Sequence, residues 1–150
     1  MMTSSFENIK SQLKLSCLQG NFENVQEILE ILQNRNFDAN IVIDEEQEKT
    51  ALILCAENGY SQICNYLLQN GAHCDVLDKA KWTPLHYAAQ EGHFDVCAVL
   101  IQNGANVSEM NEVNLTPLHI ATHEGHSEIC NLLIENGAGT FEIKKPKKLM

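Results

Sequence analysis

Six cysteines and six histidines are the side chains in this sequence best equipped for chemistry. Thiolate and imidazole can hold zinc, a cysteine pair can form a disulfide, and either can serve a nucleophilic site. Ligand pairs in structural zinc sites are usually separated by two to four residues. No Cys-x2-Cys occurs here, and the tightest grouping is His119, His123 and His126, the first two one helical turn apart. The cysteines follow another rule. Cys64, Cys97 and Cys130 are spaced by 33 residues, Cys55 stands where Ala88 and Ala121 stand, and Cys17 where Ala56 and Ala89 stand. A cysteine that alternates with alanine is a small core filler. Only Cys74, after Gly71-Ala72, falls in a loop where a thiol could react. No glycine-rich phosphate loop is present. An enzyme is therefore not expected, nor a metal or cofactor.

The spacing of the cysteines is that of the whole chain. Displaced by 33 residues, Thr83-Pro84-Leu85-His86 falls on Thr116-Pro117-Leu118-His119, Gly92-His93 on Gly125-His126, and Asn103-Gly104-Ala105 on Asn136-Gly137-Ala138. Fourteen of the 23 positions from 83 to 105 are identical to their counterparts. Thr50, Leu52, Ala56, Gly59, Cys64, Leu67 and Gln69-Asn70-Gly71-Ala72 repeat the pattern once more. Leu13, Cys17, Gly20, Val25, Ile28 and Leu29 fit with a shift of 39, the six extra residues falling between Asn34 and Lys49.

Each unit reads as two helices. Thr83 and Thr116 can cap a helix N-terminus, and Pro84 and Pro117 sit at its first position, where a missing N–H costs nothing. Gly92 and Gly125 end that helix. A second helix follows over Phe94–Gln102 and Ser127–Glu135, ending at Asn103-Gly104 and Asn136-Gly137.

Thr-Pro-Leu-His, Gly-His, an apolar helix and Asn-Gly-Ala at a period of 33 resemble the ankyrin repeat, over roughly residues 10–140. The resemblance implies an all-α solenoid of stacked helix-turn-helix units joined by β-hairpin loops. It also implies that His119 and His126 bridge backbone groups between repeats. Equivalent cysteines, one helix-packing distance apart at ~8–10 Å, would then lie beyond the ~7 Å Cα separation of a disulfide. The expected organisation is a capping repeat with a long loop over 1–49, repeats over 50–77, 78–110 and 111–143, and a basic tail over 144–150. In the first unit Asn24 and Glu27 replace apolar residues, as suits a polar outer face. The helix Ile129–Ile134 has no such polar face, which leaves room for the tail, for a partner or for further sequence.

Charge narrows the partners. Four of the ten basic residues lie between Lys144 and Lys148, so the rest carries six against twenty acidic ones. Such a body repels a phosphate backbone and an anionic membrane surface, so neither nucleic acid nor membrane is an expected partner. No segment reaches the ~20 apolar residues of a membrane helix, and Met1 to Ser16 lacks the apolar stretch of a secretory signal. Free thiols point to a cytoplasmic protein, and the lysine cluster to nuclear import as an alternative.

The family resemblance implies binding of a partner protein, as adaptor or inhibitor, through a concave face of hairpin tips and first helices. Transferred position by position, that face contains Glu46, Gln47, Lys49, Glu57 and Asn58, then Lys79, Ala80, Trp82, Gln90 and Glu91, then Glu112, Val113, Leu115, His123 and Glu124. Trp82, Val113 and Leu115 place apolar groups at tips expected in water, and the glutamates make their surroundings acidic. The expected partner carries basic residues around an apolar pocket, with Trp82 and Leu115 at the centre of the contact. The alternatives are a recognition piece of a larger multidomain protein or a self-associating array, so the oligomeric state stays open. Ala51 and Ile53 replace the proline and histidine of the motif, which predicts a looser hairpin before Thr50.

Overall fold

The computed structural model describes residues 2–139, with side chains from residue 5. The lysines of the expected tail, Lys144 to Lys148, lie outside the described residues.

Among those residues the chain forms eight helices in four antiparallel pairs. They are α1 (Met2–Gln19) with α2 (Phe22–Asn34), α3 (Ala51–Glu57) with α4 (Ser61–Gln69), α5 (Pro84–Glu91) with α6 (Phe94–Gln102), and α7 (Pro117–Glu124) with α8 (Ser127–Glu135). The first helices α1, α3, α5 and α7 pack in one layer, and α2, α4, α6 and α8 in another. One continuous core runs between the layers, through Leu13, Leu29, Leu52, Leu67, Leu85, Leu100, Leu118 and Leu133. The all-α repeat architecture read from the sequence is the one observed.

Local chemistry explains the starts of α3, α5 and α7 and the ends of α5 and α7. The hydroxyls of Thr50, Thr83 and Thr116 accept the backbone N–H of Ile53, His86 and His119, and Pro84 and Pro117 occupy the first turn. Gly92 and Gly125 close α5 and α7 with φ of 78° at both, in the left-handed region that favours glycine.

Consecutive pairs are joined by a bond that recurs with changing chemistry. Nε2 of His126 donates to the Gln90 carbonyl at 3.0 Å, and Nε2 of His93 to the Glu57 carbonyl at 3.0 Å. One pair earlier, the hydroxyl of Tyr60, at the equivalent position, donates to the Leu18 carbonyl at 3.1 Å. Each ring lies on the glycine that ends the preceding first helix, so a Cβ built there would stand 2.7 Å from it at Gly20, Gly59 and Gly92. These glycines are required twice, for their backbone angle and for the ring above them.

The long loop between α2 and α3 is neither free nor unstructured. Val42–Asp44 (β1) and Lys49–Thr50 (β2) pair as an antiparallel hairpin with an irregularity between Val42 and Asp44. Lys10 of α1 pairs with Glu45, Lys14 with Asp44 at 3.3 Å, and Phe6 stacks on Phe37 with ring centroids 4.3 Å apart. The hairpin before Thr50 forms although the proline and histidine of the motif are replaced. Ile53 is fully buried where the motif places histidine, and Lys49 bonds Glu57 at 2.9 Å.

The cysteines behave as core. All six are free, and Cys17, Cys55, Cys64 and Cys97 are buried. Burial pushes the thiols of Cys64 and Cys97 up to about 12. Cys74, the candidate reactive thiol, is also pushed up, by burial and then by Asp75 beside it, which disfavours the nucleophilic thiolate. Cys130 is only half-buried, less enclosed than its equivalents. The outer face of α1–α2 is not wholly polar either. Asn24 and Glu27 are exposed as expected, but they share a shallow groove with exposed Leu15 and Ile31.

Gly92 and Gly125 share one backbone angle, but among the described residues only Gly92 has a ring over it. Gly125→Ala should cost about 1–2 kcal/mol for the left-handed residue alone. Gly92→Ala should cost a further ~1–3 kcal/mol, because the His126 ring must move. Chemical denaturation of both variants measures the difference, and equal losses would contradict the lock at this interface.

Candidate functional site

The hairpin tips lie edge to edge. The Lys79 amide donates to the Gln47 carbonyl at 3.0 Å, and the Glu112 amide to the Ala80 carbonyl at 3.1 Å. This register sets residues 46–49, 79–82 and 112–115 side by side, in front of α3, α5 and α7.

Each of the later two tips is folded by one side chain. Asp78 is buried and its carboxylate accepts the amides of Ala80 at 3.0 Å and Trp82 at 2.9 Å. Asn111, equally buried, accepts those of Val113 and Leu115, each at 3.0 Å. The turns are closed by Lys81 and Asn114 at φ of 63° and 64°. His86 then ties one tip to the next. Its Nδ1 accepts the Thr83 amide at 3.1 Å, so its Nε2 carries the proton and donates to the Leu115 carbonyl at 2.9 Å. Burial lowers the pKa of His86, which agrees with a neutral ring whose two nitrogens are both engaged.

The two tips share a backbone and differ in chemistry. In the first, the Tyr87 hydroxyl donates a short hydrogen bond to the second oxygen of Asp78. Burial, and then the adjacent Asp78, push the Tyr87 phenol well up. Trp82 lies half-buried on this assembly, its ring centroid 4.8 Å from Tyr87 and 5.7 Å from His86. Lys49 of the preceding tip lies over the other ring, 4.6 Å from the Tyr87 centroid. In the second tip Ile120 stands at Tyr87's position, and the buried Nδ2 of Asn111 has no hydrogen-bond partner among the described residues. Val113 is 63% exposed and Leu115 38% exposed there.

The positions named from the sequence therefore divide into two sets. Lys79, Glu91, Glu112, Val113, Leu115, His123 and Glu124 are exposed, as are Glu46, Gln47 and Asn58. His123 pairs with its neighbour Glu124 at 3.0 Å. Ala80, Trp82 and Gln90 are half-buried, and the Gln90 backbone already serves His126. Trp82 is committed to packing within its own repeat, and Lys49 and Glu57 to each other. Sequence reasoning passed over Leu77 and Met110, both exposed and one period apart, beside the turn residues Asp78 and Asn111. The signal was available, since both precede the residue that folds the tip. No group of three or more His, Cys, Asp or Glu side chains suited to a metal ion occurs among the described residues. Nor, among them, is any helix long and apolar enough to cross a membrane.

Paired helices with projecting hairpins, stacked through equivalent contacts, define a modular repeat array. The family model described as "Ankyrin repeats (3 copies)" matches residues 7–78 and 71–145. The chain belongs to the ankyrin-repeat family, whose members are generally protein–protein interaction modules.

Two tests follow from the tips. The His86 pKa is depressed in the fold, while an unfolded histidine titrates near ~6.5. Its contribution to stability is complete above that value and is lost as pH falls through the lower folded pKa. Nitrogen-detected NMR should show His86 as the Nε2–H form, still neutral when an exposed histidine has become half protonated. Separately, Asn111→Asp should destabilise by about 1–3 kcal/mol, and adding Ile120→Tyr should recover part of that loss. Thermal melting of the single and double variants is the measurement.

Proposed function

We propose that the protein is an adaptor or inhibitor that grips a partner protein on the concave side formed by the hairpin tips and first helices. The observation that supports this reading most is the second tip. Val113 and Leu115 stand in water beside exposed Met110, with Glu112 and Glu124 on the same side. Apolar anchors ringed by polar residues are the usual centre of a protein contact. The contact set is Lys79, Ala80, Trp82, Gln90, Glu91, Glu112, Val113, Leu115, His123 and Glu124. Its weight rests on Val113 and Leu115, because Trp82 already spends part of its surface on Tyr87.

Charge defines the partner further. Glu46, Glu91, Glu112 and Glu124 are exposed along this side, while Glu57 is paired with Lys49. A partner surface with lysine or arginine around an apolar pocket complements it. The charges then act mainly on the rate of encounter, which falls as salt rises.

Affinity purification with the whole chain, followed by mass spectrometry, identifies the bound protein. Val113→Ala/Leu115→Ala should weaken its binding by ten-fold or more, about 1.4 kcal/mol, without lowering the melting temperature. Glu112→Gln/Glu124→Gln should slow association and flatten its salt dependence. A partner held equally by wild type and by Val113→Ala/Leu115→Ala, yet lost on substituting Leu15 and Ile31, would place the contact on the α1–α2 face instead.

A further inference from the structure

The first helix pair departs from the others on its outer side. α2 has thirteen residues where α4, α6 and α8 have nine. The added turn begins at Ile31, since Glu30 stands where Gln69 ends α4. Leu32 of that turn is fully buried and anchors it, whereas Ile31 is 43% exposed. On α1, Leu15 is 55% exposed, although Leu54 and Ile120 at its position are buried. A shallow groove lies between the two helices, lined by Gln12, Leu15 and Gln19 of α1 and by Asn24, Glu27 and Ile31 of α2.

This face is not shaped for another helix pair of the array. Tyr66 packs edge-on against Phe22 of the pair before it, with ring centroids 5.4 Å apart, and at Tyr66's position the first pair carries Glu27. Where Ile63, Val96 and Ile129 are buried, it carries Asn24. A stacked pair would bury that carboxylate and that amide, which is costly unless both find partners. The fitting occupant meets apolar and acidic groups side by side.

The charge is set by α2. Glu23, Glu27 and Glu30 are exposed and lie at i, i+4 and i+7, one stripe of the helix. α2 itself carries no basic residue, Lys10 and Lys14 of α1 are paired with Glu45 and Asp44, and Arg35 follows the last turn of α2.

We propose that this groove receives an amphipathic helix of a partner protein, with apolar side chains on Leu15 and Ile31 and lysine or arginine along Glu23, Glu27 and Glu30.

A helix suits the place because the groove between two packed helices accepts a ridge of side chains, and an apolar stripe at i, i+4 and i+7 supplies one. The glutamate stripe selects the flanks of that helix. It also selects among occupants. A second copy docked by the same face would bring the same glutamates against it, and an anionic lipid surface would bring phosphates. The site stands apart from Val113 and Leu115 and does not depend on the contact proposed there. Two proteins held at the two places would be bridged by one short array, which is the adaptor's task rather than the inhibitor's.

The probe is a displayed library of helices of about 16 residues, near the length at which isolated helices begin to form. Apolar residues are fixed at i, i+4 and i+7, all other positions are free, and selection uses the whole chain. Retained helices should favour lysine and arginine over aspartate and glutamate beside the apolar stripe. A synthetic peptide of the most retained sequence should shift the Leu15 and Ile31 methyl signals in NMR. Leu15→Ala/Ile31→Ala should weaken its binding ~10-fold or more at an unchanged melting temperature. Glu23→Gln/Glu27→Gln/Glu30→Gln should weaken it too and flatten its salt dependence. Val113→Ala/Leu115→Ala should leave it unchanged, which separates this site from the hairpin tips. Failure to retain any helix, retention without a basic preference, or binding unmoved by Leu15→Ala/Ile31→Ala overturns the proposal. A dimer mass in the wild type that Leu15→Ala/Ile31→Ala abolishes also overturns it and assigns the face to a second copy.

Discussion

Everything in this molecule depends on the contact between one helix pair and the next. A helix pair cannot bury its apolar face alone, and in a stacked array each unit touches only its neighbours. Stability is therefore passed along the chain rather than gathered in a single centre. Here the passing is done by an aromatic or imidazole ring seated on a glycine and bonded to a carbonyl of the preceding pair. The ring can be phenol at Tyr60 or imidazole at His93 and His126, because what the site demands is a flat donor of that length. The glycine cannot vary in the same way, since any side chain on it would occupy the ring's volume.

This division explains what could be read in advance. The helix ends were legible because capping threonine, proline and glycine act on their own backbone within a few residues. The period was legible because the interface demands the same residue types every 33 positions. The loop before α3 was not legible. Its order comes from Lys10, Lys14 and Phe6 on a helix some thirty residues away, and nothing local in the loop announces them. Tyr60 hid for a related reason, as its letter departs from the motif while its geometry does not.

The candidate site was legible as a place more than as a set of energies. Register fixed which residues stand at the tips, and the tips stand where the pattern put them. Whether a tip residue is available depends on what lies beneath it. Trp82 has Tyr87 and His86 to lie on, with Asp78 holding the phenol in position. Leu115 has Ile120 at the corresponding place and no such assembly. Three exchanges at equivalent positions, Trp82 for Leu115, Tyr87 for Ile120 and Asp78 for Asn111, thus separate a tip that spends its aromatic surface inwardly from one that leaves apolar surface in water.

The polar arithmetic of the two tips makes the same point. A buried donor or acceptor without a partner costs on the order of 1–3 kcal/mol, and Asn111 carries one at Nδ2 that Asp78 does not. Aspartate suits a tip with a phenol to receive. Asparagine avoids burying an unpaired charge where isoleucine stands, at the smaller cost of one idle N–H, while its oxygen still folds the turn. The second tip therefore keeps the same turn with less internal satisfaction, and its apolar side chains Val113 and Leu115 stay exposed among the described residues. Apolar side chains carried on a turn already held by its own hydrogen bonds have little ordering left to lose in any contact they make, and that is the condition under which a small apolar contact contributes most to binding.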